Sequence, residues 1–299
     1  MYIRYSDFKF SQRRLITMSR QKRLVAINDV SGFGKCSLTV ALPLISAAGV
    51  ETVVMPTAVL STHTGGFTGF TYRDLTADMP LITEHWKSLD LKFDAIYSGF
   101  LGSFDQIDIV ADFAEKFKTE DNIFIADPCM ADHGVLYTLF DEKFAAKMTS
   151  LCAKADIILP NITEACFMTG IEYIDGVQTE EYIEGLLKKL LALGAKNAVL
   201  TGVSFEESKL GAACMGADGE MKCYFSERLP GAFHGTGDVF ACAFSGALLN
   251  GFSLYDSMSK AVNFTCDCIR RTQKYSPDMK YGVDFERGIP TLLKELELI

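Results

Sequence analysis

The sequence predicts an α/β fold: a mostly parallel central sheet with helices on both faces and an antiparallel hairpin at one edge. Two observations predict it. Runs of four or five apolar residues alternate with stretches of helical character, and such runs need a parallel sheet buried on both sides. Near the C-terminus, Gly211-Ala-Ala-Cys-Met215 and Lys222-Cys-Tyr-Phe225 flank Asp218-Gly219, which is the turn chemistry of a hairpin.

Taken in order, residues 24–28 form the first strand, which runs into Asp29-Val-Ser-Gly-Phe-Gly34. A helix over 36–48 is closed by Gly49, and residues 52–55 make the next strand. Residues 94–97 form another, after which Ser103 and Gln106 make a capping box for a helix reaching Phe117. A strand over 122–126 ends at Asp127-Pro128, followed by a helix over 141–153. The strand at 156–159 is broken by Pro160, because proline cannot donate to a ladder. A helix over 179–193, a strand over 198–201, the hairpin, and helices over 237–250 and 254–272 complete the pattern.

The chain has 299 residues, 48% hydrophobic and 22% charged, with no repeat and no linker-like stretch. Residues 23–299 are read as one domain. A net charge of −9 disfavours a broad nucleic-acid surface, while a small anion remains compatible with local backbone dipoles. Residues 1–22 break the average: Arg4, Lys9, Arg13, Arg14, Arg20 and Lys22, with the adjoining Arg23, face only Asp7. This stretch is expected to be a disordered or non-native basic extension, with Met18 as an alternative start. No run of 18 apolar residues suggests a membrane span. Nine cysteines, scattered without C-x-x-C pairs, predict reduced thiols in a cytoplasmic protein. Four dispersed histidines offer no structural metal site.

In parallel α/β sheets, ligands bind beyond the carboxyl ends of the strands. Polar residues gather there: Asn28-Asp29, Ser61-Thr-His-Thr64, Ser98-Gly99, Asp127-Pro128, Asn161-x-x-Glu164, Thr201-Gly202 and Gly235-Thr-Gly-Asp238. Turns and caps favour the same residue types, which explains any one cluster better than the whole set. Gly32-Phe-Gly34-Lys35-Cys36-Ser37 is not a Walker A loop, since Cys36 separates Lys35 from Ser37. No Gly-x-Gly-x-x-Gly dinucleotide fingerprint follows the first strand either.

Gly235-Thr236-Gly237-Asp238 is the sharpest signal. Its glycines let consecutive N–H groups turn inward as an anion nest at a helix N-terminus. Asp238 in the first turn is expected to stay ionised at neutral pH and to orient an attacking hydroxyl. Asn161 and Glu164 suit a helix cap, or a hydrated Mg2+ that keeps its waters. Asp127 adds a second charge nearby.

These residues, in this order, resemble the vitamin B6 kinases of the ribokinase-like superfamily. Asp-x-Ser-Gly, Ser-x-His-Thr, Ser-Gly-Phe-Leu-Gly-Ser, Asp-Pro-x-Met, Pro-Asn-x-x-Glu-Ala and Gly-Thr-Gly-Asp carry the resemblance over residues 23–272. Gly-Thr-Gly-Asp and Asn-x-x-Glu mark the superfamily, and the Ser61 and Ser98 motifs point to the B6 branch. The resemblance implies a three-layer α/β/α sandwich that phosphorylates the 5′-hydroxymethyl group of pyridoxal, pyridoxine or pyridoxamine with MgATP. It implies Asp238 as base, with Gly235, Thr236 and Gly237 as anion hole. Asp127, Asn161 and Glu164 would serve ATP, Asp127 and Glu164 reaching Mg2+ through water, while Thr201, Gly202 and Thr236 would lie against the phosphates. Asp29, Ser31, His63, Thr64 and Phe100 would meet the substrate ring. The family is commonly dimeric, and K+ is carried as an optional helper.

Two departures bear on the substrate. Many pyridoxal kinases have Ser at the Asp29 position and Tyr at that of Phe100. Asp29-x-Ser31-Gly32 instead resembles the hydroxymethylpyrimidine kinases of thiamine synthesis, which are the alternative reading. A non-catalytic vitamin-binding protein would need neither Gly-Thr-Gly-Asp nor Asn-x-x-Glu. A sugar kinase would need a lid for which the stretch 64–72 leaves little room.

Overall fold

Leu24, Val25, Ala26 and Ile27 are all shielded from water, as a strand is when both of its faces are covered. Val25 and Ile27 join one core cluster, while Leu24 and Ala26 join the other. That period-two division places a layer of helices on each side of the sheet. The computed structural model describes residues 20–275 and 279–299. The expectation for residues 1–22 falls outside the described residues, apart from 20–22, where Arg20 pairs with Asp94 at 2.8 Å.

The chain order is β1 (Arg23–Ser31), α1 (Leu38–Ala47), β2 (Glu51–Leu60), β3 (Tyr72–Asp74), α2 (Met79–Ser88), β4 (Ala95–Ser98) and α3 (Phe104–Phe117). There follow β5 (Ile123–Ala126), β6 (Ala131–Asp132), β7 (Val135–Leu136), α4 (Glu142–Cys152), β8 (Ile157–Ile158), α5 (Ile162–Thr169) and α6 (Glu180–Ala192). Then come β9 (Asn197–Val203), β10 (Lys209–Met215), β11 (Met221–Glu227), α7 (Thr236–Leu249), α8 (Leu254–Tyr275) and α9 (Ile289–Glu295). The main sheet runs β11-β10-β9-β8-β5-β4-β1-β2-β3. From β9 to β2 all neighbours are parallel; β10 and β11 at one edge and β3 at the other are antiparallel. Helices α2 to α6 cover one face, burying Phe113, Phe124, Met148 and Leu187. Helices α1, α7, α8 and α9 cover the other around Phe244, Phe264 and Leu44. The result is the expected three-layer sandwich with an antiparallel edge hairpin.

Several boundaries differ from the sequence reading, each for a physical reason. β1 continues through Asp29 to Ser31, and β2 continues through Pro56 to Leu60. Proline is tolerated there because the far edge of β2 stays unpaired until Ala58 meets Asp74. The capping box at Ser103 is half formed. Its hydroxyl accepts from the Gln106 N–H, but the Gln106 side chain accepts from Gly102 and donates to the Thr57 carbonyl. α2 has no counterpart in the sequence reading, since only Met79 and Thr83 of its ten residues are fully buried. All nine cysteines are free. Among the described residues, no helix is long and apolar enough to cross a membrane.

Candidate active site

The parallel strands β1, β4, β5, β8 and β9 end along one rim of the sheet, and the N-terminus of α7 meets that rim. The charges converge there. Asp127 lies within electrostatic reach of Glu164 and Asp238, and Asp238 within reach of Asp29. The thiol of Cys129 feels all four carboxyls, which gathers them near one point of the rim.

At the start of α7, Gly235 is the N-cap with φ of 76° and offers no side-chain cap. A Cβ built there would lie 2.2 Å from the Lys35 carbonyl oxygen, so the turn before α1 packs directly on the turn before α7. The first N–H groups of α7, from Thr236 to Asp238, have no earlier carbonyl in the helix to donate to, the general condition for anion binding at a helix start. The Thr236 hydroxyl is turned to the Phe233 carbonyl at 3.2 Å.

Asp238 stands in the first turn of α7, half-buried against the cleft. Burial pushes its carboxyl up to about 7; the Ser37 N–H pulls the other way, and the Asp29 charge adds to the rise. This corrects the expectation of a permanently ionised aspartate: loss of water outweighs the helix dipole. A carboxyl titrating near neutrality is better matched to accepting a proton than one fixed at about 4.

Asn161 and Glu164 form a complete capping box on α5. Asn161 Oδ1 accepts from the Glu164 N–H and Glu164 Oε2 accepts from the Asn161 N–H, both at 2.9 Å. Glu164 Oε1 takes the Met130 N–H at 2.8 Å, and the Asn161 amide donates to the Ala131 carbonyl at 2.8 Å. Glu164 is 2% exposed, and burial raises it to about 7 despite those three N–H donors, counting Ala131. Burial and the neighbouring charges of Glu164 and Asp238 push Asp127 well above the usual carboxylate range. Among the described residues no three His, Cys, Asp or Glu side chains make a direct metal cage. With both Glu164 oxygens engaged, the donor set fits a cation that keeps its own water shell, as Mg2+ does.

Thr201 and Gly202 lie within β9 rather than beyond it. Thr201 opposes Ala212 and Val203 opposes Gly211, so Gly202, with φ of 79°, bulges out of the ladder at the rim. The Thr201 N–H donates to the Pro160 carbonyl at 3.0 Å, tying β9 to the turn that carries Asn161.

At the opposite end, Asp29 is 4% exposed and accepts from Ser37 Oγ at 2.5 Å and Ser31 Oγ at 2.9 Å. Burial raises its pKa against those two bonds. The buried Ser31 hydroxyl thus donates its hydrogen bond to Asp29. Thr64 is exposed on the loop between β2 and β3. Phe100 follows β4, half-buried, with its ring 5.7 Å from that of Phe140. His63 is packed between loops, with both ring nitrogens engaged. Its Nδ1 accepts from the Gly65 N–H at 3.1 Å and its Nε2 donates to the Lys280 carbonyl at 2.8 Å. Both nitrogens are occupied by backbone, which fixes the Nε2–H tautomer and makes His63 a clasp between two loops. Ser37 is the residue whose place in the site the sequence reading missed; a serine just before a helix signals only a cap.

The comparisons with known proteins agree with this geometry. The phosphomethylpyrimidine kinase family matches residues 42–283. A provisionally named phosphomethylpyrimidine kinase from Bacteroides thetaiotaomicron, crystallised with pyridoxal, is 37% identical. The match covers 91% of this chain and 96% of that one, with a TM-score of 0.86. The pyridoxal kinase of Lactobacillus plantarum is 31% identical over 92% of this chain and 98% of that one, with a TM-score of 0.84. A hydroxymethylpyrimidine/phosphomethylpyrimidine kinase of Haemophilus influenzae is 27% identical over 83% of this chain and 90% of its own length. With four-fifths of its length matched in this way, the chain belongs to the phosphomethylpyrimidine kinase family, a branch of the ribokinase-like superfamily that also holds the pyridoxal kinases.

Proposed function

We propose that this protein is an ATP-dependent kinase that phosphorylates the 5′-hydroxymethyl group of a vitamin B6 vitamer. The observation that carries the reading is the place of Asp238: its carboxyl sits in the first turn of α7, beside the uncapped N–H groups of a glycine-bracketed turn, and burial raises its pKa. The nest binds the phosphoryl oxygens, and its fixed dipoles stabilise charge that spreads over them as the group moves. Asp238 accepts the proton of the attacking hydroxyl at its carboxylate oxygen. Thr201 and Gly202 offer backbone at the bulge of β9 to the rest of the triphosphate. Mg2+, when bound, neutralises phosphate charge; Asp127 and Glu164 would hold it through its waters, and K+ is a further candidate helper. Asp29, Thr64 and Phe100 line the substrate end, where a buried carboxyl favours a protonated ring nitrogen or an amine. A cytoplasmic homodimer completes the proposal.

The second reading is a hydroxymethylpyrimidine kinase, supported by Asp29-x-Ser31-Gly32 and by the Haemophilus relative. An ADP-release assay over pyridoxal, pyridoxine, pyridoxamine and the aminopyrimidine, with and without Mg2+, tests both. Turnover on the vitamers above that on the aminopyrimidine is expected, with pyridoxamine used well. Turnover on the aminopyrimidine alone would replace the first reading by the second, and none on any of the four would overturn both.

A further inference from the structure

The residue between the two ends of the cleft is Ser37, and its conformation is unusual. It is the N-cap of α1, yet its hydroxyl makes no capping bond. Its φ of 57° and ψ of −131° lie in the mirror-image β region, which belongs to glycine. Gly34 and Lys35 beside it also have positive φ, at 110° and 53°. A side chain that abandons its helix and a backbone held where L-residues resist both cost stability, so other bonds must hold them.

Three contacts do so. Ser37 Oγ donates to Asp29 Oδ1 at 2.5 Å, in surroundings that leave Ser37 only 6% exposed. The Ser37 backbone forms an antiparallel bridge with Val30, and its carbonyl accepts from Val40 and Ala41 at 3.0 and 2.9 Å. With the hydroxyl and carbonyl thus fixed, the turn that carries Ser37 is pinned to β1. The same turn abuts Gly235 through the Lys35 carbonyl.

We propose that Ser37 is a positioning residue for Asp238, and that the bond from its hydroxyl to Asp29 locks a strained turn whose packing against Gly235 fixes the start of α7 and with it the placement of the Asp238 carboxylate. The substrate end and the phosphate end of the cleft are thereby held in one geometry by a single residue. The proposal rests on Asp238 being the base.

Ser37→Gly and Ser37→Ala in the full-length protein test it. Glycine suits the backbone at this position and removes the strained Cβ together with the hydroxyl, so the variant should unfold at the same temperature as the parent or higher. Its kcat should nevertheless fall about 10–100-fold, the scale of a small misplacement of a reacting group, with KM for MgATP and for the vitamer held. Ser37→Ala keeps the strain without the anchor, and should lose both kcat and thermal stability. Parental kcat in Ser37→Gly would overturn the proposal, as would a rise in KM at constant kcat. Failure of both variants to fold would reduce Ser37 to a structural part and overturn it too. Asp238→Asn is measured alongside: if it alone loses rate, only the role of Ser37 falls, whereas full rate in Asp238→Asn removes the base on which that role depends.

Discussion

Asp238→Asn is expected to lower kcat by about 10²–10⁴-fold while the nucleotide still binds, the range for a lost acid–base group. Asparagine has the same size and keeps a polar oxygen in the first turn of α7, but it cannot take the proton of the substrate hydroxyl. Steady-state ADP release at saturating substrates reads the loss, and calorimetry with ADP reads the retained binding. The pH dependence gives a second readout. In the parent, kcat rises with pH as the carboxylate form fills, with a midpoint near 7, and that limb is absent from the variant. The stability linkage runs the other way. A carboxyl raised from 3.8 to about 7 on folding holds its proton more tightly in the folded chain. Its contribution is fully present below about 4 and is lost as pH rises through 7, so Asp238→Asn should be at least as heat-stable as the parent at about pH 8. A near-parental kcat at that pH would remove Asp238 from the reaction.

Gly235→Ala is expected to cost both activity and stability. The added methyl would meet the Lys35 carbonyl oxygen at 2.2 Å, and a backbone atom cannot swing aside as the end of a side chain does. The φ of 76° adds strain for any L-residue. Either the turn before α1 or the start of α7 must move, and the nest opens. A loss of about 10²–10³-fold in kcat follows if the N–H groups no longer converge, as for a removed oxyanion donor. Gly237→Ala is the contrast for folding: a methyl added there would meet nothing within 4 Å, so its melting temperature should stay near that of the parent. Equal melting temperatures for the two variants would contradict the packing argument.

Most of the fold was legible because the buried parallel strands leave contiguous apolar runs, as at residues 24–27, 95–97 and 123–126. What the runs could not show was pairing that depends on partners far along the chain. β3 is three exposed residues whose only signature is the edge of β2, and α2 has too few buried positions to show a helical period. At the site, the carboxyls and the nest were legible as residue types because they sit at strand ends or open a helix. Their energetics were not. Whether Asp238 holds a proton depends on how much water is excluded around it, which is a property of the packed cleft. His63 and Ser37 show the same limit. One spends both ring nitrogens on loop backbone and the other gives its hydroxyl to Asp29, and neither choice is encoded in neighbouring residues.

The packing of the Lys35 carbonyl against Gly235 joins the turn leaving the first strand to the start of α7, so about two-thirds of the polypeptide intervenes. During synthesis, the stretch that carries Asp29 and Ser37 emerges from the ribosome long before α7 exists. A product that ended before α7 would carry the Asp29 turn without the helix start it packs against, and the complete rim forms only once α7 docks.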